Sequence, residues 1–220
     1  NIDKSEATNF QTVKGDIRNK EELEDLIPAS DWVVLLAAEH KDNVSPTSLY
    51  YDVNVQGTSN VLQVMRKKNI QKIIFTSTVA VYGLNKNNPN ESAPVDPFNH
   101  YGKSKYQAEE LLRTWHQEDP SHRTLIILRP TVVFGPENRG NVYNLLQQIV
   151  KGQFKMIGNG MNIKSMSFVG NVVAFMQYCL TNYTDGYHLF NYVDKPDLNT
   201  NQLVELIAKS SGRKVQSIKI

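Results

Sequence analysis

Lys72-Ile73-Ile74-Phe75-Thr76-Ser77-Thr78-Val79-Ala80-Val81-Tyr82-Gly83, taken together with Tyr101-Gly102-Lys103-Ser104-Lys105, decides the fold. The first stretch is a β-branched and aromatic run that ends in three hydroxyl residues, as where a parallel strand stops. From Tyr101 the chain continues to Asp119 without proline, with apolar residues recurring at helical spacing. That spacing predicts a helix over 101–119 with Tyr101 and Lys105 one turn apart on one face. A free phenol titrates near ~10, and an ammonium beside it favours the phenolate, so the two residues read as an acid/base pair. Chance alone supplies about one Tyr-x-x-x-Lys match in a chain of this composition. Tyr82 and Lys86 form a second match, but they run into the Asn-rich LNKNNPNESAPVDP, which reads as loop and offers no shared helix face. The hydroxyls at the strand end, one of which can share a proton with Tyr101, single out Tyr101.

Working outward, Trp32 to Ala38 reads as a continuous apolar strand, central and buried on both faces. Thr124 to Arg129 reads as another, stopped by Pro130. Phe10 to Ile17 alternates like a short strand, and Asn19 then caps a helix that runs to Ile27 with Glu21 and Glu22 in its first turn. A long helix is predicted from Pro46 to Asn69. Asn54 and Gly57 sit in its middle, where Gly costs roughly up to 1 kcal/mol, so a packing or polar reason is wanted. Beyond Pro136 the pattern gives a helix over Asn141 to Val150, a short strand at Lys155 to Ile157 and a turn at Gly158-Asn159-Gly160. A helix opening at Gly170, a strand over Tyr187 to Tyr192 and a helix from Asn199 to Ser211 ended by Gly212 follow. Alternating strands and amphipathic helices predict an α/β, doubly wound parallel sheet with a smaller C-terminal region.

Composition narrows the function. Forty per cent apolar and 21% charged residues are ordinary for a globular protein, and an excess of two positive charges argues no nucleic-acid partner. No apolar run approaches the ~20 residues of a membrane span, so a cytoplasmic protein without a membrane partner is expected. The single Cys179 excludes an internal disulfide framework, no metal site is predicted, and a buried structural thiol is the expectation.

The strand-end TSTVAVYG and the YGKSK helix resemble the extended short-chain dehydrogenase/reductase family, in its NAD-dependent epimerase/dehydratase branch, along nearly the whole chain. The resemblance implies a Rossmann-type NAD-binding domain over 1–136 and a mainly substrate-binding region over 137–220. It implies Thr78 as proton-sharing hydroxyl, Tyr101 as acid/base, and Lys105 as the group that binds the nicotinamide ribose and lowers the Tyr101 pKa. The family's Gly-rich turn is absent from this chain, so the first strand, turn and helix are expected to be missing and the C-terminal region incomplete. Asp3 is expected on the adenosine ribose, where a carboxylate would repel a 2′-phosphate and favour NAD. Asp16 is expected on the adenine amino group with Ile17 beside the ring, and Leu36, Ala37, Ala38, Ser77, Pro130 and Val133 along the cofactor. Asn54 is read as structural, His40 as a loop residue at the substrate-side rim, and Gly57 as allowing close helix contact.

The resemblance also implies a nucleotide-sugar substrate, with Thr78 and Val79 on the sugar side. An epimerase working through a keto-sugar intermediate is the first expectation, an NAD(P)H-dependent 4-ketoreductase the second, and an NAD-binding regulatory protein the third. The family commonly pairs its 46–69 and 101–119 helices, so a homodimer is expected, and the apolar positions on both helices allow it. The chain departs from the family where the substrate phosphates bind. Val132 replaces an Asn, Lys164 an Arg, and Asn171 an acidic residue. Lys can replace Arg as a point charge but not as a bidentate fork. A diphosphate held mainly by Lys164, helped by Asn141 and Asn144, is therefore expected, in a subfamily distinct from the UDP-galactose 4-epimerases.

Overall fold

Asn19 accepts from Glu22 N and caps α1 (Lys20–Leu26) in a computed structural model that describes residues 11–41, 43–156 and 158–212. The chain divides into two compact units, Asn1–Arg129 with Cys179–Phe190, and Pro130–Tyr178 with Asn191–Ile220. In the first unit α1 leads to β1 (Val33–Leu35), α2 (Ser48–Tyr51), a π-helical segment Asp52–Gln56, α3 (Gly57–Lys67), β2 (Lys72–Thr76), a 3₁₀ turn Val79–Tyr82, α4 (His100–Gln117) and β3 (Thr124–Pro130). β1 pairs with β2 and β2 with β3, both parallel, with Phe75 opposite Leu35 on one side and Ile127 on the other. The second unit holds β4 (Val132–Phe134), α5 (Asn141–Val150), β5 (Ile163–Lys164), β6 (Met166–Phe168) and the start of α6 (Val169–Asn182). The chain then returns through β7 (Gly186–Tyr192), which takes the place beside β3 in the order β1-β2-β3-β7, and ends in β8 (Leu198–Asn199) and α7 (Thr200–Ser210). Among the described residues no helix is long and apolar enough to cross a membrane.

The apolar runs bury as their β-branched and aromatic composition dictates. Ile73, Phe75, Leu125 and Ile127 pack with Val61, Leu62, Val64 and Met65 of α3 and with Ala108, Leu112 and Trp115 of α4 in one core. In the second unit a smaller cluster of Ile149, Met156, Val204 and Ala208 joins α5 to α7. α7 carries a full capping box between Asn199 and Gln202, and Gly212 beyond it has φ +69°.

Several expectations are corrected. β1 covers only Val33–Leu35 and is, among the described strands, an edge strand, with Val34 41% and Leu36 60% exposed. Its run is apolar on both sides, but the described residues cover only one of them. Residues 11–17 form no strand, because no described neighbour pairs with them. The long helix begins at Ser48 and passes through a π segment around Asn54, where a polar clamp replaces regular packing. Met156 makes an isolated bridge rather than a strand, and Ile157 lies outside the described residues. The expected strand at 187–192 belongs to the main sheet, because α6 carries the chain back to it.

Candidate functional site

The site begins where β2 ends. Ser77 N donates to Leu128 O at 2.7 Å, which extends the ladder by one residue, and Thr78 then turns the chain into the 3₁₀ segment by accepting from Ala80 N at 3.1 Å. Asn99 caps α4 through Gly102 N at 2.8 Å. Gly102 is required there, because a Cβ would lie 2.8 Å from Ala80 O, so the first helical turn can approach the 3₁₀ turn only without a side chain. This close approach brings the Thr78 hydroxyl near enough to the Tyr101 phenol to act on its pKa. A cavity of about 310 Å³ opens on Tyr101, lined also by Asn43, Thr47, Tyr50, Asn99 and His100.

Lys105 follows one turn later and is 2% exposed. Its ammonium lies 4.0 Å from the Phe75 ring centroid and, among the described residues, makes no hydrogen bond or ion pair. Burial lowers its pKa to about 7, against the opposing charge of Glu109. Burial also raises the Tyr101 pKa, and the Thr78 hydroxyl lowers it by less. The expectation that Lys105 lowers the phenol pKa is thus corrected. Desolvation of the phenolate outweighs its neighbours, and the buried ammonium is itself short of charge at neutral pH.

Asn54 supplies the clamp that holds these parts together. Its Oδ1 accepts from Glu39 N at 2.8 Å, and its Nδ2 donates to Glu39 O at 3.0 Å and to Ser104 Oγ at 2.9 Å. Ser104 Oγ in turn donates to Tyr101 O at 2.9 Å, so the exit of β1 is tied to the turn bearing the acid/base pair. Leu36 and Ala37, just before Glu39, are exposed, and Ala38 is half-buried. Gly57 packs against Ile17, where a Cβ would lie 2.8 Å from Ile17 Cγ2, so its close contact is with a turn residue and not with a helix. Asp16 is engaged by Arg18 through two Nε contacts of 3.0 Å and an Nη2 contact of 2.5 Å, which holds its carboxyl at about 2. Asp3 lies outside the described residues. Ser77 is buried, and its hydroxyl donates to Glu109 Oε1 at 2.5 Å. His40 is an exposed loop residue.

In the second unit Pro130 ends β3, and Val133 stands half-buried on β4. Asn141 and Lys164 line one cavity of about 260 Å³ with Val132, while Asn144 is exposed and outside it. Lys164 also lines a larger cavity of about 500 Å³ whose wall is otherwise mostly aliphatic, including Leu145, Leu146, Leu203 and Ile207.

Sequence reasoning missed Ser104 and the buried ion pair of Glu109 with Arg129. The signal was available. Arg129 is a charge inside an apolar strand, which demands a buried partner, and Glu109 lies one turn past Lys105 on the same helix. Tyr82 accepts from Arg129 Nη1 at 2.8 Å, which accounts for the second Tyr-x-x-x-Lys match as structural. The residues present fit NAD at the strand ends. The buried Lys105 ammonium makes no hydrogen bond among the described residues, and the β1 exit offers exposed small and apolar residues.

Residues 1–192 match the family model described as NAD dependent epimerase/dehydratase family. The chain is 58% identical over 220 residues to the N-acetyl-alpha-D-glucosaminyl-diphospho-ditrans,octacis-undecaprenol 4-epimerase of Escherichia coli O157:H7, covering 99% of this chain and 66% of that protein. It is 30% identical over 241 residues to UDP-glucose 4-epimerase 2 of Oryza sativa subsp. japonica, covering 96% of this chain and 59% of that one. The chain thus spans less than two thirds of either relative's length. Among solved structures, the UDP-glucuronic acid 4-epimerase of Bacillus cereus in complex with NAD aligns with a TM-score of 0.85 at 22% identity, over 97% of this chain and 70% of that chain. The UDP-glucose 4-epimerase of Bifidobacterium longum in complex with NAD+ and UDP aligns with a TM-score of 0.80 at 24% identity, over 94% and 70%. These likenesses establish the doubly wound, Rossmann-type α/β fold.

Proposed function

This chain belongs to the NAD dependent epimerase/dehydratase family, and from that premise we propose that the whole protein is a 4-epimerase of a diphosphate-linked N-acetylhexosamine whose carrier is a polyprenol. The observation that carries the reading is the 58% identity, over 99% of this chain, to a relative named for that reaction. The aliphatic cavity beside Lys164 and the half-exposed Val132, at a position where the family resemblance expects Asn, support an apolar carrier over a nucleoside.

The chemistry that bound NAD supplies is reversible acceptance of a hydride from the sugar C4. The C4 hydroxyl must then give up its proton as the hydride leaves and take one back as the hydride returns to the other face. Tyr101 is the group placed to exchange that proton, with the Thr78 hydroxyl nearby to share it. Burial raises its pKa, so the phenolate that takes the C4 hydroxyl proton is a strong base, and the phenol so formed is what returns a proton to the keto oxygen. Lys105 is the donor left over for ribose hydroxyls. Asn54 and Ser104 hold the helix turn in register with the β1 exit.

A nucleotide-sugar substrate is the second reading, favoured by the rice relative. Full-length enzyme incubated separately with polyprenyl-diphospho-GlcNAc and UDP-GlcNAc, with products resolved chromatographically, tests the choice. Conversion of the lipid-linked sugar is expected, and conversion of UDP-GlcNAc alone overturns the carrier assignment. In the same assay Lys164→Ala is expected to weaken substrate affinity about tenfold, or ~1.4 kcal/mol. Unchanged affinity would remove Lys164 from the diphosphate site. A cytoplasmic location remains part of the proposal.

A homodimer through the α3 and α4 faces is proposed on resemblance alone. The apolar positions expected to drive it are used in the core, and the outward residues are polar, among them Gln56, Lys103, Gln107 and Glu110. Sedimentation equilibrium of the full-length protein decides it, and a monomer at high concentration excludes the dimer.

A further inference from the structure

We infer that Glu109 is a positioning residue of the acid–base site, its buried carboxylate tying the strand end that carries Thr78 to the helix that carries Tyr101 and Lys105. The inference rests on the epimerase reading above. Glu109 is fully buried and receives four hydrogen bonds. Oε1 accepts from Ser77 Oγ at 2.5 Å and Arg129 Nε at 2.9 Å, and Oε2 accepts from Arg129 Nη2 and Arg113 Nη2, both at 2.5 Å. Ser77 immediately precedes Thr78, and Tyr82, which closes the 3₁₀ turn that Thr78 opens, is held by the other arm of Arg129. Thr78 is therefore bracketed on both sides by groups anchored on one carboxylate of α4. A lateral slip of the strand end against the helix would move the Thr78 hydroxyl off the Tyr101 phenol.

Packing alone does not call for a charge here, since a buried ion pair can often be replaced by apolar residues with no loss of stability. What a charge adds is its effect on Lys105, one turn away. The groups acting on that ammonium among the described residues are Glu109 on its own helix and the Phe75 ring from β2. Arg113 and Arg129 face Glu109. Among the described residues Glu109 is the charge that favours the ammonium against burial.

Three variants of the full-length enzyme test this. Ser77→Ala cuts the strand-end tie and leaves the ion pair, so kcat should fall about tenfold with NAD affinity unchanged. Glu109→Gln keeps the shape and removes the charge, so kcat should fall and the pH at which NAD affinity is lost should move down by about one unit. Because Glu109→Gln leaves Arg129 buried without its counter-charge and could fail to fold, Glu109→Asp is the companion. It keeps the charge while shortening the tie, and should lower kcat with the pH limb in place. Wild-type kcat in Ser77→Ala, or a pH limb that stays put in folded Glu109→Gln, overturns the inference. Retained activity in Tyr101→Phe would instead overturn the epimerase reading itself.

Discussion

Tyr101→Phe in the full-length protein is expected to lower turnover at least about 100-fold while leaving folding nearly intact, since it deletes one hydroxyl whose role is proton exchange. Within the described residues the one side chain that acts on that hydroxyl is Thr78. Thr78 keeps its other contact, with Ala80 N at 3.1 Å, when the phenol is gone. Net stability loss should therefore stay within the ~1 kcal/mol of a single hydrogen bond. Steady-state turnover on the epimerisable sugar, read beside a thermal melt, separates the two effects. Activity within a few-fold of wild type would remove Tyr101 from the chemistry, and a collapsed melt with lost activity would make the residue structural.

The parts of this fold that were legible in the sequence are those whose local signal and tertiary role agree. β2 and β3 are β-branched runs that bury almost completely. α4 has a cap, a glycine where backbone approaches backbone, and an apolar stripe that ends on Trp115. Thr78, Tyr101 and Lys105 followed, because a strand end and a helix start fix where their side chains must meet. Relations set by pairing at a distance were not legible. The exposure of Val34 depends on which strands flank β1, and the π segment at Asp52–Gln56 exists because Asn54 must reach both Glu39 and Ser104. Asp16 read as a ligand acceptor, yet Arg18 two residues on satisfies it locally. The apolar positions of α3 and α4 allow a partner chain, and among the described residues they lie in one core. Periodicity identifies a buried face without saying what buries it.

Lys105→Met should make the protein more stable and less active at once. Burial pushes the Lys105 pKa down from an ordinary 10.5 to about 7, because it disfavours the charge more than Glu109 supports it. A base whose pKa is depressed by folding binds fewer protons folded than unfolded between those two values, so stability rises with pH across that window. Below pH 7 the ammonium is charged in both states and its desolvation cost is fully present. Above 10.5 it is neutral in both and the cost is gone. The gap corresponds to a penalty of up to about 5 kcal/mol at low pH. Met fills similar space without a charge, so its melting temperature should exceed that of wild type most at pH 6 and converge with it toward pH 10.5. Function should move the other way. The variant loses the buried donor proposed for the NAD ribose, so NAD affinity should fall, and the alkaline loss of affinity expected of wild type should be absent from it. Melting curves across pH without added NAD, paired with NAD titrations, check both halves. A Met variant less stable than wild type at pH 6 would mean that the ammonium is held by contacts beyond Phe75 and Glu109. Unchanged NAD affinity would mean that Lys105 does not reach the cofactor.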